Sequence, residues 1–236
     1  MDLTDAKGTL LVKAGRVKFV KSSLKLLDGT ANFNGFYSTE DMSNPNTGFY
    51  MSIKDFDIPT TYKTFNTIQK LAPGAQFMEG KFSSEFSFAS NLMHNYELDL
   101  NTIAGKGSIQ SKQVKLSNSP LYNKIADLAK SAKLKEIMFK DVDLNFEFKD
   151  GKVVVEPFDV KIGKGNISIS GENGFDQTIN YKMVMTVATA KVFPGGGETL
   201  KGLSQELSQI TGKDTKIGSN LNFNIVFKVF TQSYST

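Results

Sequence analysis

The chain has 236 residues, with 28 Lys and Arg against 24 Asp and Glu for a formal charge of +4, a mild excess spread along its length that excludes a concentrated basic arm for nucleic acid. It has no cysteine, which excludes disulfides, Cys-ligated zinc and a thiol nucleophile together. No apolar run approaches the ~20 residues of a membrane-spanning helix, and Met1-Asp2-Leu3-Thr4 shows neither the basic nor the apolar region of a signal peptide, so any export signal or anchor is expected upstream.

Along the chain, Leu10/Val12/Ala14, Val17/Phe19, Leu24/Leu26, Ala31/Phe33 and Phe49/Met51/Ile53 alternate with polar residues, the pattern of strands with one buried and one wet face. After Asp55-Phe56-Asp57-Ile58, Pro59 opens a predicted helix with Tyr62, Phe65, Ile68 and Leu71 in one apolar stripe, ended by Pro73-Gly74. The strand Phe82/Phe86/Phe88 follows. Ser119 as N-cap and Pro120 at N1 open a second helix, with Leu121, Ile125, Leu128 and Ala132 on one face. Lys112, Lys115, Lys124, Lys130, Lys133, Lys135 and Lys140 flank it against Asp127 and Glu136; by default this is a solvated face, with contact to an anionic membrane as the alternative. Val142-Asp143-Leu144-Asn145-Phe146-Glu147-Phe148 alternates strictly and runs into the hairpin turn Lys149-Asp150-Gly151-Lys152. Ile167/Ile169 and Ile179/Tyr181/Met183/Met185/Val187 continue the strands. A third helix carries Leu200, Leu203, Leu207 and Ile210 before Gly212, and Leu221/Phe223/Ile225/Phe227/Val229 reads as a last strand.

One block occurs twice. Ala14 to Gly35 aligns without a gap on Asp150 to Gly171, an offset of 136 (151 minus 15), with glycine on glycine three times and apolar on apolar at alternate positions. The expected fold is therefore mainly β with a few helices (α+β): a duplicated antiparallel unit forming a curled, groove-like or partly open barrel sheet, capped by about three helices. The expected organisation is a single domain over 1–236, made of two repeats (about 8–95 and 140–232) joined by a strand-helix segment (about 96–139). A duplicated β element of this kind usually works as an extended surface or groove.

Catalytic signals are weak. His94 is the only histidine, no Gly-x-Ser-x-Gly elbow accompanies it, and it reads as a surface-loop residue. Asp55/Asp57, Asp141/Asp143 and Glu97/Asp99 each place two carboxylates on one strand face, a geometry open to a hard cation but better explained as the solvent positions of alternating strands. Pro194-Gly195-Gly196-Gly197 lacks the Gly-Lys-Ser/Thr of a phosphate loop and reads as a linker. The expectation is a protein that is not an enzyme, with no catalytic residue, no metal site and no cofactor.

Several phrases, taken in order, resemble a known family. They are Lys54-Asp55-Phe56-Asp57-Ile58, Leu71-Ala72-Pro73, Glu79-Gly80-Lys81-Phe82, Gly105-Lys106-Gly107-Ser108-Ile109, Ile125-Ala126-Asp127-Leu128, Lys149-Asp150-Gly151-Lys152-Val153 and Ser170-Gly171-Glu172-Asn173-Gly174-Phe175-Asp176-Gln177-Thr178-Ile179-Asn180-Tyr181. Over roughly residues 8 to 192 they resemble the C-terminal region of AsmA-like proteins of the Bacteroidota type, related to bridge-like lipid transport proteins of the bacterial envelope. The resemblance implies a Gram-negative periplasmic protein, anchored to the inner membrane by an N-terminal helix missing here, with phospholipid or another lipid as partner and envelope proteins as further partners. Its implied role is lipid binding or lipid transport in support of outer-membrane homeostasis or assembly.

In that reading Phe146, Phe148, Val153, Val155, Phe158, Val160, Ile162, Ile167, Ile169, Met183 and Met185 line the groove. Burying a methylene is worth ~0.8 kcal/mol, so a 16-carbon chain would gain roughly 13 kcal/mol before ordering losses. The competing reading is a structural or envelope-assembly scaffold, in which the same side chains fill a solid β core and partners act at the edge strands.

Overall fold

The computed structural model describes residues 3–119, 123, 127, 136–162, 165–176 and 178–186. Ten strands run in chain order: β1 (Thr4–Lys13), β2 (Arg16–Leu26), β3 (Gly29–Ser38), β4 (Asn46–Asp57), β5 (Met78–Asn91), β6 (Ala104–Ser117), β7 (Glu136–Lys149), β8 (Lys152–Ile162), β9 (Gly165–Gly174) and β10 (Ile179–Thr186). Each pairs antiparallel with its neighbour in sequence, giving one ten-stranded sheet in the order β1 to β10 that, among the described residues, does not close on itself. The fold is mainly β, as the alternation predicts, because each one-sided strand needs neighbours on the same face to bury its apolar residues.

The alternation is interrupted at defined points, and these are bulges. The register shifts on β2 between Phe19 and Ser22, on β4 between Ile53 and Phe56, and on β8 between Val155 and Phe158. Lys21, Asp55 and Asp141 take φ of 47°, 58° and 52°. A bulge bends its strand and increases the local twist, and several together curl the sheet. Each also moves the apolar set from odd to even positions or back, so that Ile53 and Phe56, three residues apart, face the same side. Asp55, read from sequence as a member of a carboxylate pair, is a backbone residue of this kind, and Asp141, read the same way, shares its positive φ; aspartate tolerates positive φ better than most residues.

Between β4 and β5 lie α1 (Ile58–Thr64), α2 (Asn66–Leu71) and a 3-10 turn (Pro73–Phe77). The single predicted helix is thus broken at Phe65, whose φ of −113° and ψ of 107° are extended and whose N–H still donates to Thr61 O at 3.1 Å. The break is a tertiary effect. It sends Phe65 toward Leu26, Ala31 and Phe56, while Ile58, Ala75 and Phe77 turn to a second cluster around Val114, Ile137 and Val160. Asp57 caps α1, its Oδ1 accepting from Thr60 N at 2.9 Å, and Pro59 sits in the first turn as the sequence implied.

Of the second predicted helix, Asn123 and Asp127 are helical and Asn123 N donates to Ser119 O at 2.9 Å. The third helix, the strand at 221–229 and the Pro194–Gly197 stretch lie outside the described residues.

Candidate functional site

The buried face of the sheet has two ends with different contents. At the helical end, Ile58, Val114, Leu116, Ile137, Phe139, Val160 and Ile167 form one buried cluster, joined through Phe82 to Leu26, Leu27, Ala31 and Phe56. Val160 and Ile167 are only 2% and 1% exposed. At the hairpin end, Ile103, Phe146, Phe148 and Val153 are buried, with Phe86, Phe88, Ile109, Leu144, Val155 and Phe175 partly buried against them. No described helix residue belongs to this second group.

Cross-strand register turns the hairpin end into an aromatic ladder. One row runs Leu10, Phe19, Gly35, Phe49, Phe88, Gly105, Phe148, Val153 from β1 to β8. The adjacent row runs Phe33, Met51, Phe86, Gly107, Phe146, Val155. Ring centroids are 5.7 Å apart for Phe19 and Phe49, 6.0 Å for Phe49 and Phe88, 6.5 Å for Phe88 and Phe148, and 5.3 Å for Phe146 and Phe148, all within the range of favourable aromatic pairs.

The glycines are what allow the rings to meet. A Cβ on Gly35 would lie 2.7 Å from Phe49 Cε1, one on Gly107 2.7 Å from Phe146 Cζ, and one on Gly105 3.0 Å from Phe88 Cβ. Rings from neighbouring strands lean over Gly35 and Gly107, while at Gly105 the β5 backbone itself closes in; the sequence marked Gly35 through the repeat and Gly105 and Gly107 only within a family phrase. Phe19, Phe33, Phe49, Phe86 and Phe88 are nevertheless only half-buried, so the ladder presents an apolar surface rather than a closed core.

Polar groups on this face are satisfied by the protein. Ser84 Oγ donates to Ser108 O at 2.7 Å, Ser111 Oγ to Lys81 O at 2.6 Å and Thr47 Oγ1 to Phe36 O at 2.6 Å. Near the β9 and β10 end, buried Asn173 donates through Nδ2 to Tyr181 Oη at 3.0 Å, and burial pushes the Tyr181 hydroxyl pKa up. The opposite face is polar, with Lys54, Glu85, Lys106, Asp143, Asn145 and Glu147 exposed.

Among the residues expected to line a groove, Phe146, Phe148 and Val153 form the floor of the ladder, with Val155 half-buried beside them, and Val160 and Ile167 are closed inside the helical end, with Phe158 and Ile169 packed partly buried at its margin. Ile162, Met183 and Met185 belong to β8 and β10, and their side chains lie outside the described residues. The rings of β2 to β5 were missed as lining. Their signal was the half-burial that follows from register, which period-two alternation does not encode.

His94 is exposed in the β5–β6 loop, on a shallow depression shared with Asn44, Asn91, Leu92, Met93, Asn95 and Asp99. Asp57 is engaged as a helix cap, Asp99 O accepts from Ser90 Oγ, and no group of three or more His, Asp or Glu able to hold a metal occurs among the described residues. Of the lysines, Lys115 pairs with Glu136 at 3.2 Å, Lys112 and Lys140 are exposed, and the others named lie outside the described residues. No described helix is long and apolar enough to cross a membrane.

Compared with known proteins, the chain matches no family model, no curated protein and no solved structure.

Proposed function

We propose that this protein is a non-enzymatic lipid-binding or lipid-transport module of the AsmA-like kind, working in the periplasm and taking phospholipid acyl chains onto the aromatic ladder. The observation that carries this reading is the row of rings from β2 to β7, half-exposed on β2 to β5 and buried on β7, with no described helix packed on it. Five inter-strand steps of about 4.8 Å give an apolar path of up to roughly 24 Å, longer than the ~15 Å of one bilayer leaflet's acyl region. Half-exposed rings gain from burial against a ligand without being needed to hold the sheet together. The floor residues Phe146, Phe148 and Val153 support the rings, Val155 extends the surface on β8, and Phe158 and Ile169 mark where it meets the sealed helical end.

The experiment is lipid mass spectrometry on an organic extract of the purified protein, beside the Phe49→Asp variant. The wild-type chain is expected to carry stoichiometric phospholipid. Phe49→Asp, whose half-buried ring pairs with Phe19 and Phe88 and lies over Gly35, is expected to lose most of it while keeping its circular dichroism spectrum. Lipid retained equally by both would remove the ladder from the reading.

A second reading, a solid envelope scaffold, draws on the helical end, where Val160 and Ile167 are fully enclosed. Absence of any lipid in the wild-type extract would favour it.

A further inference from the structure

The internal repeat identifies what the free edge of β1 is built to receive. At the offset of 136, β1–β2 and β7–β8 share register: Lys13↔Arg16, Val12↔Val17 and Leu10↔Phe19 answer to Lys149↔Lys152, Phe148↔Val153 and Phe146↔Val155. Backbone irregularities recur at the same offset. Asp5 and Asp141 have φ of 50° and 52°, Gly15 and Gly151 have φ of 73° and 70°, and the shift between Phe19 and Ser22 recurs between Val155 and Phe158. β1 is therefore the structural counterpart of β7.

The two strands differ in their other neighbour. β7 is paired along its whole length by β6, from Gly105↔Phe148 to Ser117↔Glu136, and Phe146 and Phe148 are 8% exposed. Among the described residues β1 ends the sheet, and it is exposed at every residue, with Leu10, the Phe146 counterpart, at 56% and Val12, the Phe148 counterpart, at 73%. Leu11, at 53%, is exposed on the other face. Edge strands are normally blunted by charge, proline or a bulge. Here the register irregularities lie between Thr4 and Thr9 and the charges at Asp5, Lys7 and Lys13, which leaves the stretch Thr9–Leu10–Leu11–Val12 regular and uncharged.

We infer that β1 is an accepting edge for an antiparallel strand of the β6 type from another polypeptide segment, which continues the sheet and its apolar face. On β6, Gly105 and Gly107 stand opposite Phe148 and Phe146, and a Cβ on Gly107 would meet the Phe146 ring. Leu10 and Val12 are smaller, so the strand that fits β1 carries apolar side chains where β6 has those glycines. Main-chain hydrogen bonds supply affinity, and alternate side chains over Leu10 and Val12 supply selectivity. This inference stands on the repeat and is independent of the lipid reading.

The test uses a labelled peptide of residues 104–117 carrying Gly105→Val and Gly107→Val, added to the full chain and followed by fluorescence anisotropy and amide hydrogen exchange. Binding at about 100 μM or tighter is expected, with exchange slowed at least about ten-fold across residues 9–13. The Leu10→Lys/Val12→Lys double variant, both sites being exposed, is expected to melt like wild type and to bind the peptide at least about ten-fold more weakly. Equal binding to both proteins, or no protection of residues 9–13 at about 1 mM peptide, overturns the inference. So does a wild-type chain that is dimeric with residues 9–13 already protected, because the occupant is then a second copy.

Discussion

The apolar face is sealed at one end of its strands and open at the other, although both ends are built from the same alternating residues. At the helical end, α1 and the 3-10 turn lay Ile58, Ala75 and Phe77 over Val114, Ile137, Val160 and Ile167, and solvent is excluded. At the hairpin end, rings on β2 to β5 meet in tilted and stacked pairs, across bare Gly35 for Phe19 and Phe49 and directly for Phe49 and Phe88, and stay half-exposed. An identical sequence pattern can thus serve as core or as contact surface, and the difference lies in what is laid over it. Side chains already surrounded by protein are needed for stability; those left half-wet retain the free energy a ligand can draw on.

The largest effect should separate the two ends. Val160→Asp places a carboxylate where exposure is 2% with no partner, and it is expected to cost more than about 4 kcal/mol and to prevent cooperative folding, read as loss of the urea unfolding transition. Phe49→Asp at the open end should leave a folded protein. If Val160→Asp folds normally, the helical end is not the sealed core described here.

A smaller effect is expected at the ladder's glycines. Gly107→Val drives a side chain into Phe86 and Phe146, with an expected loss of about 1–3 kcal/mol in urea unfolding. A neutral outcome would mean that the rings move aside freely and the ladder is not a fixed surface.

Tyr181→Phe removes the only described partner of the Asn173 amide and is expected to cost about 1–2 kcal/mol, most of it the unpaired donor, since Asn173 is 8% exposed. The Asn173→Leu/Tyr181→Phe double variant should recover part of that loss. Failure to recover it would assign the Tyr181 effect to ring packing over Gly171 instead.

The smallest effect concerns pH. Hydrogen bonds from Thr178 Oγ1 and N hold Asp176 below its ordinary carboxylate pKa. A depressed folded pKa contributes stability above the unfolded value that is lost as pH falls through the folded one. Asp176 is fully exposed, so the contribution is small: wild type should lose slightly more stability than Asp176→Ala between neutral pH and the acid side of the carboxylate range, checked by urea midpoints at several pH values. Parallel curves would show that the turn gains nothing from the charge.

Much of this fold is local and was legible. The Asp150-Gly151 turn, the strict alternation of β7 and the position of Pro59 in the first turn of α1 each depend on a few adjacent residues, and each is where the sequence places it. The bulges left a readable trace in apolar spacings of three rather than two, as from Ile53 to Phe56 and from Val155 to Phe158. The helix break at Phe65 left none, because it answers to two clusters that are distant in sequence. Of the candidate site, the floor was legible as alternating apolar residues on β7 and β8, while the rings that make the surface were not.

By itself the sequence determined one-sided strands, their turns and a duplication with an offset of 136, because backbone preference and side-chain alternation are properties of neighbouring residues. Only the tertiary structure decided that Gly35 sits between Phe19 and Phe49, that Gly105 sits between Phe88 and Phe148, and that Val160 is sealed while Phe49 is half-open. Register between strands and cover over a face are set by contacts among residues far apart in the chain. No local period can specify which distant strand a given residue will meet.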